Sequence, residues 1–407
     1  MKRRYELDAL RGIFLLVMAG THLPTAVNSA ANQPLGYVSA AEGFVFLSAF
    51  LVGSIYTPLM FQRGAAYVRG RLWKRARKLY GYHLLLLFFV FTVVAGIAVW
   101  TGSQALYNYA AIFFQRPAWA VAASPVLLYQ PPLLDILPMY IAFLLLSPPL
   151  LQLGSRRGWW PILVGSGLLW LLAQLSGERL LYAGVAAAGL PLRHEALGAF
   201  NWLGWQLVWV GGLWLGFRQH RRDERAPAQP WLGKPAVMLA ACGLVIFFLL
   251  WRYHVGGLFA GIDAGSPLLD KWKLGPLRVV NCISLGLILN WALLPALCWL
   301  RIGVLELLGR NSLQVFSAHI PVCVLGGGLV GYQAAPSTPL VQTLLWMLML
   351  GVMLFVAWRS DASNRGSASP SAGHRAPSTV RGPFRADRGT GGAKPAGGLA
   401  LRPIRSG

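Results

Sequence analysis

The sequence predicts an all-α protein, a polytopic membrane helix bundle of about ten transmembrane helices with both termini cytoplasmic. Three observations carry this. Of 407 residues, 56% are hydrophobic and only 12% are charged, about half the charged share of a soluble domain. The apolar residues gather into long runs, with the charges in short clusters between them, as lipid demands. Those clusters alternate along the chain between strongly and weakly basic.

A membrane span needs about 20 mostly apolar residues. Runs of that kind cover residues 9–27, 42–60, 79–100, 133–153, 159–176, 201–217, 236–252, 279–300, 312–331 and 339–358. They read as helices, because a segment in lipid must satisfy its own backbone hydrogen bonds. With the N-terminus inside, the inner connections hold 19 Lys and Arg and the outer ones 7, the asymmetry of the positive-inside rule. An even number of spans returns the C-terminus to the cytoplasm. Glu6, Asp8 and Arg11 interrupt the pattern of a signal peptide, so the first run reads as an uncleaved anchor.

A net charge of +23 taken alone would suggest a nucleic-acid partner. The cations lie in membrane connections, which leaves the lipid bilayer as the partner and no nucleic acid. Cys242, Cys282, Cys298 and Cys323 are far apart without a CxxC pair, so neither a disulfide framework nor a zinc site is indicated. Residues 1–358 form the membrane-embedded domain. From Arg359 the composition changes to nine Lys and Arg, two Asp, nine Gly and five Pro, which reads as a basic, disordered cytoplasmic tail over 359–407. Such a tail either favours an anionic leaflet or is an extension without a role.

Ionisable residues within spans are candidate functional sites. Glu6, Asp8, Arg11 and His22 occupy the first span and its start. Eleven residues at 100° each put Arg11 and His22 on one helical face, ~16 Å apart along the axis, so they are expected to line the same cavity at different depths. A histidine there can act as a general base on a hydroxyl, while Arg11 is a fixed cation suited to a phosphate or carboxylate. The alternative is a structural polar pair, with Asp8 paired to Arg11 at i+3.

In the second span, Glu42 is placed to orient or balance His22, and small residues around Ser48 read as helix packing. The basic run Arg69, Arg71, Lys74, Arg75, Arg77 and Lys78 satisfies topology and also suits a polyanion such as a coenzyme A phosphate. Asp270, Lys271, Lys273 and Arg278 face outward against the positive-inside trend, making a cationic mouth for an anionic acceptor or a carboxylate-bearing acyl group. His319 is either a second cavity histidine or one hydrogen-bonded to a neighbouring helix. His22, Arg11 and Glu42 are thus the catalytic candidates. Asp8, Arg71, Arg75, Arg77, Lys273, Arg278 and His319 are those for substrate binding, and carboxylates and histidines do not cluster at metal-ligand spacing.

ELDALRG followed by His22 resembles the arginine–histidine motif of the integral-membrane acyltransferase-3 superfamily. Within it, SAAEGFVFLSAFLVG, ARKLYGYHLLL, KWKLGPLRVVN and LGRNSLQVFSAH are similar to the OpgC family, and the likeness covers most of 1–358. The resemblance implies a multi-pass inner-membrane enzyme that O-succinylates osmoregulated periplasmic glucans. It implies succinyl-CoA as donor substrate, no bound cofactor, His22 as the catalytic residue and Arg11 as its partner in the donor site. The family's FLSG is FLSA here, with Ala49 placed to tighten a helix contact, and GRHSL is GRNSL, with Asn311. Two rivals stay open: O-acetylation of another envelope glycan, and a glycan transporter or flippase with Arg11 and His22 in its path. The halves show no internal symmetry, which favours the enzyme.

Overall fold

A computed structural model describes residues 4–177, 198–225, 235–255, 266–330 and 338–366, together with 183 and 187. Among the described residues the regular structure is helical, apart from one isolated bridge between Leu35 and Val38. Each of the ten apolar runs meets a helix. In chain order, and with the two short additional helices Val27–Ala31 and Gly303–Arg310, they are α1 (Tyr5–His22), α2 (Val27–Ala31), α3 (Ala40–Arg63) and α4 (Ala65–Thr101, with a π-turn at Val90–Val94). After a connection come α5 (Ile136–Arg157), α6 (Trp160–Gln174), α7 (Trp202–Arg225) and α8 (Pro235–Arg252). The series closes with α9 (Pro276–Leu300), α10 (Gly303–Arg310), α11 (Ser312–Val330) and α12 (Pro339–Gly366).

Six of these, α3, α4, α5, α8, α9 and α12, are long and apolar enough to cross a membrane. The other four runs are helical but fall short of that measure. Charges crowd both α1, through Glu6, Asp8 and Arg11, and the end of α7 from Arg218. The 15 residues of α6 rise only ~22 Å at 1.5 Å each, and α11 has too short an apolar stretch. The last helix continues to Gly366, past the expected boundary at 358. Residues 367–407, most of the expected tail, lie outside the described residues.

Small residues let two helix pairs approach closely, the usual device where lipid removes any hydrophobic drive between helices. On α3 and α7, a Cβ added at Gly53, Gly212 or Gly216 would meet backbone atoms of the facing helix, and Ala49 Cβ would lie 2.9 Å from one at Gly212. Ala49 therefore does sit in a tight helix contact. On α1 and α10, Gly12 faces the Leu305 carbonyl and Gly309 faces the Asp8 carbonyl. This second contact holds the start of α1, with Arg11, against the helix that carries Arg310.

Candidate functional site

Two cavities lie at opposite ends of α1. The larger, about 580 Å³, is lined by Thr21 and His22 of α1, Ser39 before α3, Asp135 before α5, and Lys271 and Trp272 of the loop before α9. Asn108 and Tyr109 complete it from Gln104–Tyr109, one of three short helices in the connection between α4 and α5 that the sequence reads as loop. The smaller, about 340 Å³, is lined by Arg11, Arg75, Lys78 and Arg310, with Asn311, Gln314 and Asn364. Both volumes fall within or near the range of small-molecule sites. Ile136 and Phe316 line both cavities and form the wall between them.

Aromatic rings thicken that wall. Phe44 stacks on Phe316 at 6.4 Å and lies 6.4 Å from Tyr140, while the Arg11 guanidinium sits 5.5 Å from the Phe44 ring centre. Arg11 Nε is buried with no hydrogen-bond partner among the described residues. A cation over an aromatic face keeps part of its stabilisation, and its remaining donors stay available to an anion in the smaller cavity. Arg75 and Lys78 reach that cavity because they are three residues apart on one face of α4. Arg71 and Arg77, also expected to bind substrate, are exposed and line neither cavity. Asp8 is half-buried on α1, outside the lining, with its carbonyl against Gly309.

Glu42 does not turn to His22. Its carboxylate accepts from the backbone N–H of Ser39 at 3.0 Å and from the Ser39 hydroxyl, completing a capping box at the start of α3. Its other oxygen accepts from Arg278 Nε at 2.5 Å. Both side chains are at most 1% exposed, so Arg278 stands in the protein interior rather than in a cationic outer mouth. Three residues along α9, Asn281 Oδ1 accepts from the Tyr37 N–H at 2.8 Å. Gly36, at φ +88°, presses against that amide, where any side chain would clash. Glu42 and Arg278 thus fix the segment that carries Ser39 to the cavity wall.

The loop before α9 is equally fixed. Asp270 Oδ1 accepts from the Trp272 N–H at 2.6 Å, and Trp205 Nε1 donates to the Lys271 and Trp272 carbonyls at 3.2 and 3.1 Å. Lys273 Nζ donates to Ser176 Oγ at 2.7 Å and lies outside the cavity lining. Its neighbour Lys271 is the cation that lines the His22 cavity. Burial holds the Lys271 ammonium below its ordinary pKa, partly opposed by Glu42. Burial also pushes the Tyr129 phenol in the same cavity up to about 12, which keeps it a neutral donor.

His22 meets His319 of α11, with Nδ1 of the first 3.4 Å from Nε2 of the second. His319 lines neither cavity, so it is the histidine hydrogen-bonded to a neighbouring helix rather than a second cavity histidine. Cys323 lies one turn beyond His319, and the donor atoms of His22, His319 and Cys323 all fall within 4.8 Å of one another. The spacing of His319 and Cys323 at i, i+4 is a signal for such a group, but its third member comes from a helix far away in sequence. Structural zinc takes four such ligands, and His22 Nδ1 and both ring nitrogens of His319 already make hydrogen bonds.

Sequence reasoning also passed over Asp135, although an acid inside an apolar run is a legible signal. Lys78 belongs to the basic run that the sequence offers to a polyanion, whereas Arg310 counts there only among the inner cations. Ser48 is fully buried and lines neither cavity. Asn311, the departure from the expected GRHSL, donates to the Leu307 carbonyl at 3.1 Å and stands in the wall of the smaller cavity.

A family model described as OpgC protein matches residues 3–365. The chain belongs to the OpgC family. Neither a curated protein nor a solved structure matches. OpgC membership implies a glucan succinyltransferase-like function, with a glucan acceptor and an acyl donor. Together with its membrane-capable helices, it marks the chain as a membrane protein.

Proposed function

We propose that the protein is a multi-pass inner-membrane O-acyltransferase that moves a succinyl group from succinyl-CoA to hydroxyls of periplasmic glucans, with His22 as general base. The observation that carries this reading is the shared wall of Ile136 and Phe316 between a cationic cavity and a histidine cavity. The CoA phosphates sit among Arg11, Arg75, Lys78 and Arg310 on the cytoplasmic side, where charge-assisted hydrogen bonds to phosphate are strongest. The pantetheine arm passes the rings of Phe44 and Phe316 and brings the thioester to His22. The glucan enters the larger cavity from the other side, and Lys271 holds the far carboxylate of the succinyl group.

His22 Nε2 takes the proton of a glucose hydroxyl as its oxygen attacks the thioester carbonyl. The C–S bond breaks, the ester forms, and the departing sulfur takes the proton back from the imidazolium. Transfer on this reading is direct, without an acyl-enzyme, and the buried Ser48 lines neither cavity. Mass spectrometry of periplasmic glucans tests the reading, comparing a strain lacking the gene with strains complemented by wild type or His22→Ala. A succinyl-sized increment should return with wild type alone. Glucans identical in every strain would sink it.

A further inference from the structure

We propose that His319 is a positioning residue that selects the basic tautomer of His22, through a hydrogen-bond chain ending at the Phe316 carbonyl. The argument rests on the reading of His22 as general base. His319 Nδ1 lies 2.5 Å from the Phe316 carbonyl oxygen. A carbonyl only accepts, so Nδ1 carries the hydrogen. In the neutral ring Nε2 then holds a lone pair, and this lone pair faces His22 Nδ1 at 3.4 Å. His22 Nδ1 must therefore be the donor. With its hydrogen on Nδ1, neutral His22 carries its lone pair on Nε2, the nitrogen that a base in the larger cavity uses.

Three features hold this arrangement. The two imidazoles lie within 16° of parallel with centroids 5.7 Å apart, a separation that accommodates the 3.4 Å contact between Nδ1 and Nε2. The Phe316 ring packs edge-on against His319 at 4.9 Å, so the residue that supplies the final acceptor also limits rotation of the ring. His319 is 1% exposed, which keeps water from competing for either nitrogen. The chain is a neutral counterpart of the carboxylate that orients histidine in hydrolytic triads. When His22 takes a proton, the His319 lone pair stabilises the imidazolium it faces. Glu42, the sequence's candidate for this task, is occupied by Ser39 and Arg278.

The test is made on the full chain in lipid bilayers, with ¹⁵N-labelled histidine and His22→Ala and His319→Gln for assignment. Solid-state NMR at neutral pH should show His22 as the Nδ1–H tautomer, and His319→Phe should move it towards Nε2–H. In acyl transfer, His319→Phe should lower kcat by about 10²-fold with the acceptor KM little changed. His319→Gln keeps an amide oxygen facing His22 and should recover at least about tenfold of that loss. A wild-type His22 found as Nε2–H would overturn the proposal. So would wild-type kcat in His319→Phe where His22→Ala is inactive, or zinc bound at one per chain in elemental analysis, since a metal would take the lone pair assigned to His22. Full activity in His22→Ala would instead defeat the general-base reading, while the tautomer measurement would still judge the hydrogen-bond chain.

Discussion

Glu42 Oε1 lies 2.5 Å from Nε of Arg278, across 236 residues of sequence, with neither side chain more than 1% exposed. Removing one partner leaves a buried charge uncompensated, which typically costs about 3–5 kcal/mol. Glu42→Gln and Arg278→Met should each lower the thermal midpoint of the detergent-solubilised protein by several degrees. The double variant should regain much of the loss, because no bare charge remains. Equal additive losses in the double variant would show that the two do not act as a pair.

The smaller cavity separates two kinds of cation within one basic run. Arg75→Gln and Arg310→Gln should each raise the KM for acyl-CoA by about tenfold, the worth of one charge-assisted contact. Arg71→Gln and Arg77→Gln, on the exposed surface, should change it by less than about twofold. Steady-state kinetics at fixed ionic strength decide between them, and equal effects from all four would assign the cavity no role in donor binding.

Lys271, rather than Lys273, should read the acyl group. Lys271→Met should weaken use of succinyl-CoA far more than that of acetyl-CoA, whereas Lys273→Met should leave the ratio unchanged. The pH dependence has a definite sign. Burial lowers the Lys271 pKa, so its positive charge is present at low pH and lost as pH rises, earlier than for a free lysine. The preference for the dicarboxylic donor should accordingly fade on the alkaline side, and competition assays across pH measure it.

Gly309 faces the Asp8 carbonyl closely enough that a Cβ forces the helices apart. Gly309→Val should destabilise the protein by about 1–3 kcal/mol or more and reduce activity by displacing Arg11. Gly165 of α6 has open space around it, so Gly165→Ala should be neutral or stabilise by about 0.5–1 kcal/mol. Unfolding in detergent followed by tryptophan fluorescence compares the two.

Much of this was legible in the chain. Apolar runs placed every long helix, because the rule that lipid imposes on backbone hydrogen bonds is local. The one-face relation of Arg11 and His22 followed from helical periodicity, but the single cavity it predicts is two, His22 lining the larger and Arg11 the smaller. Relations between helices were not legible. Nothing local tells Glu42 that its partner is Arg278 rather than His22, or picks Arg75 and Lys78 from a run of six cations. Tyr109 and Asn108 escaped notice because short helices in a connection lack the length that makes a periodic signal.

The wall of Ile136 and Phe316, with Phe44 and Tyr140 beside it, bears on more than acyl transfer. A passage joining two water-accessible cavities through a membrane would discharge the ion gradients on which the cell depends. Aromatic rings packed across such a passage exclude the continuous water file that protons need. On the proposed reading, the side chains that yield to a slender thioester arm are the same ones that keep the bilayer electrically sealed between turnovers, so their bulk is a compromise between throughput and insulation.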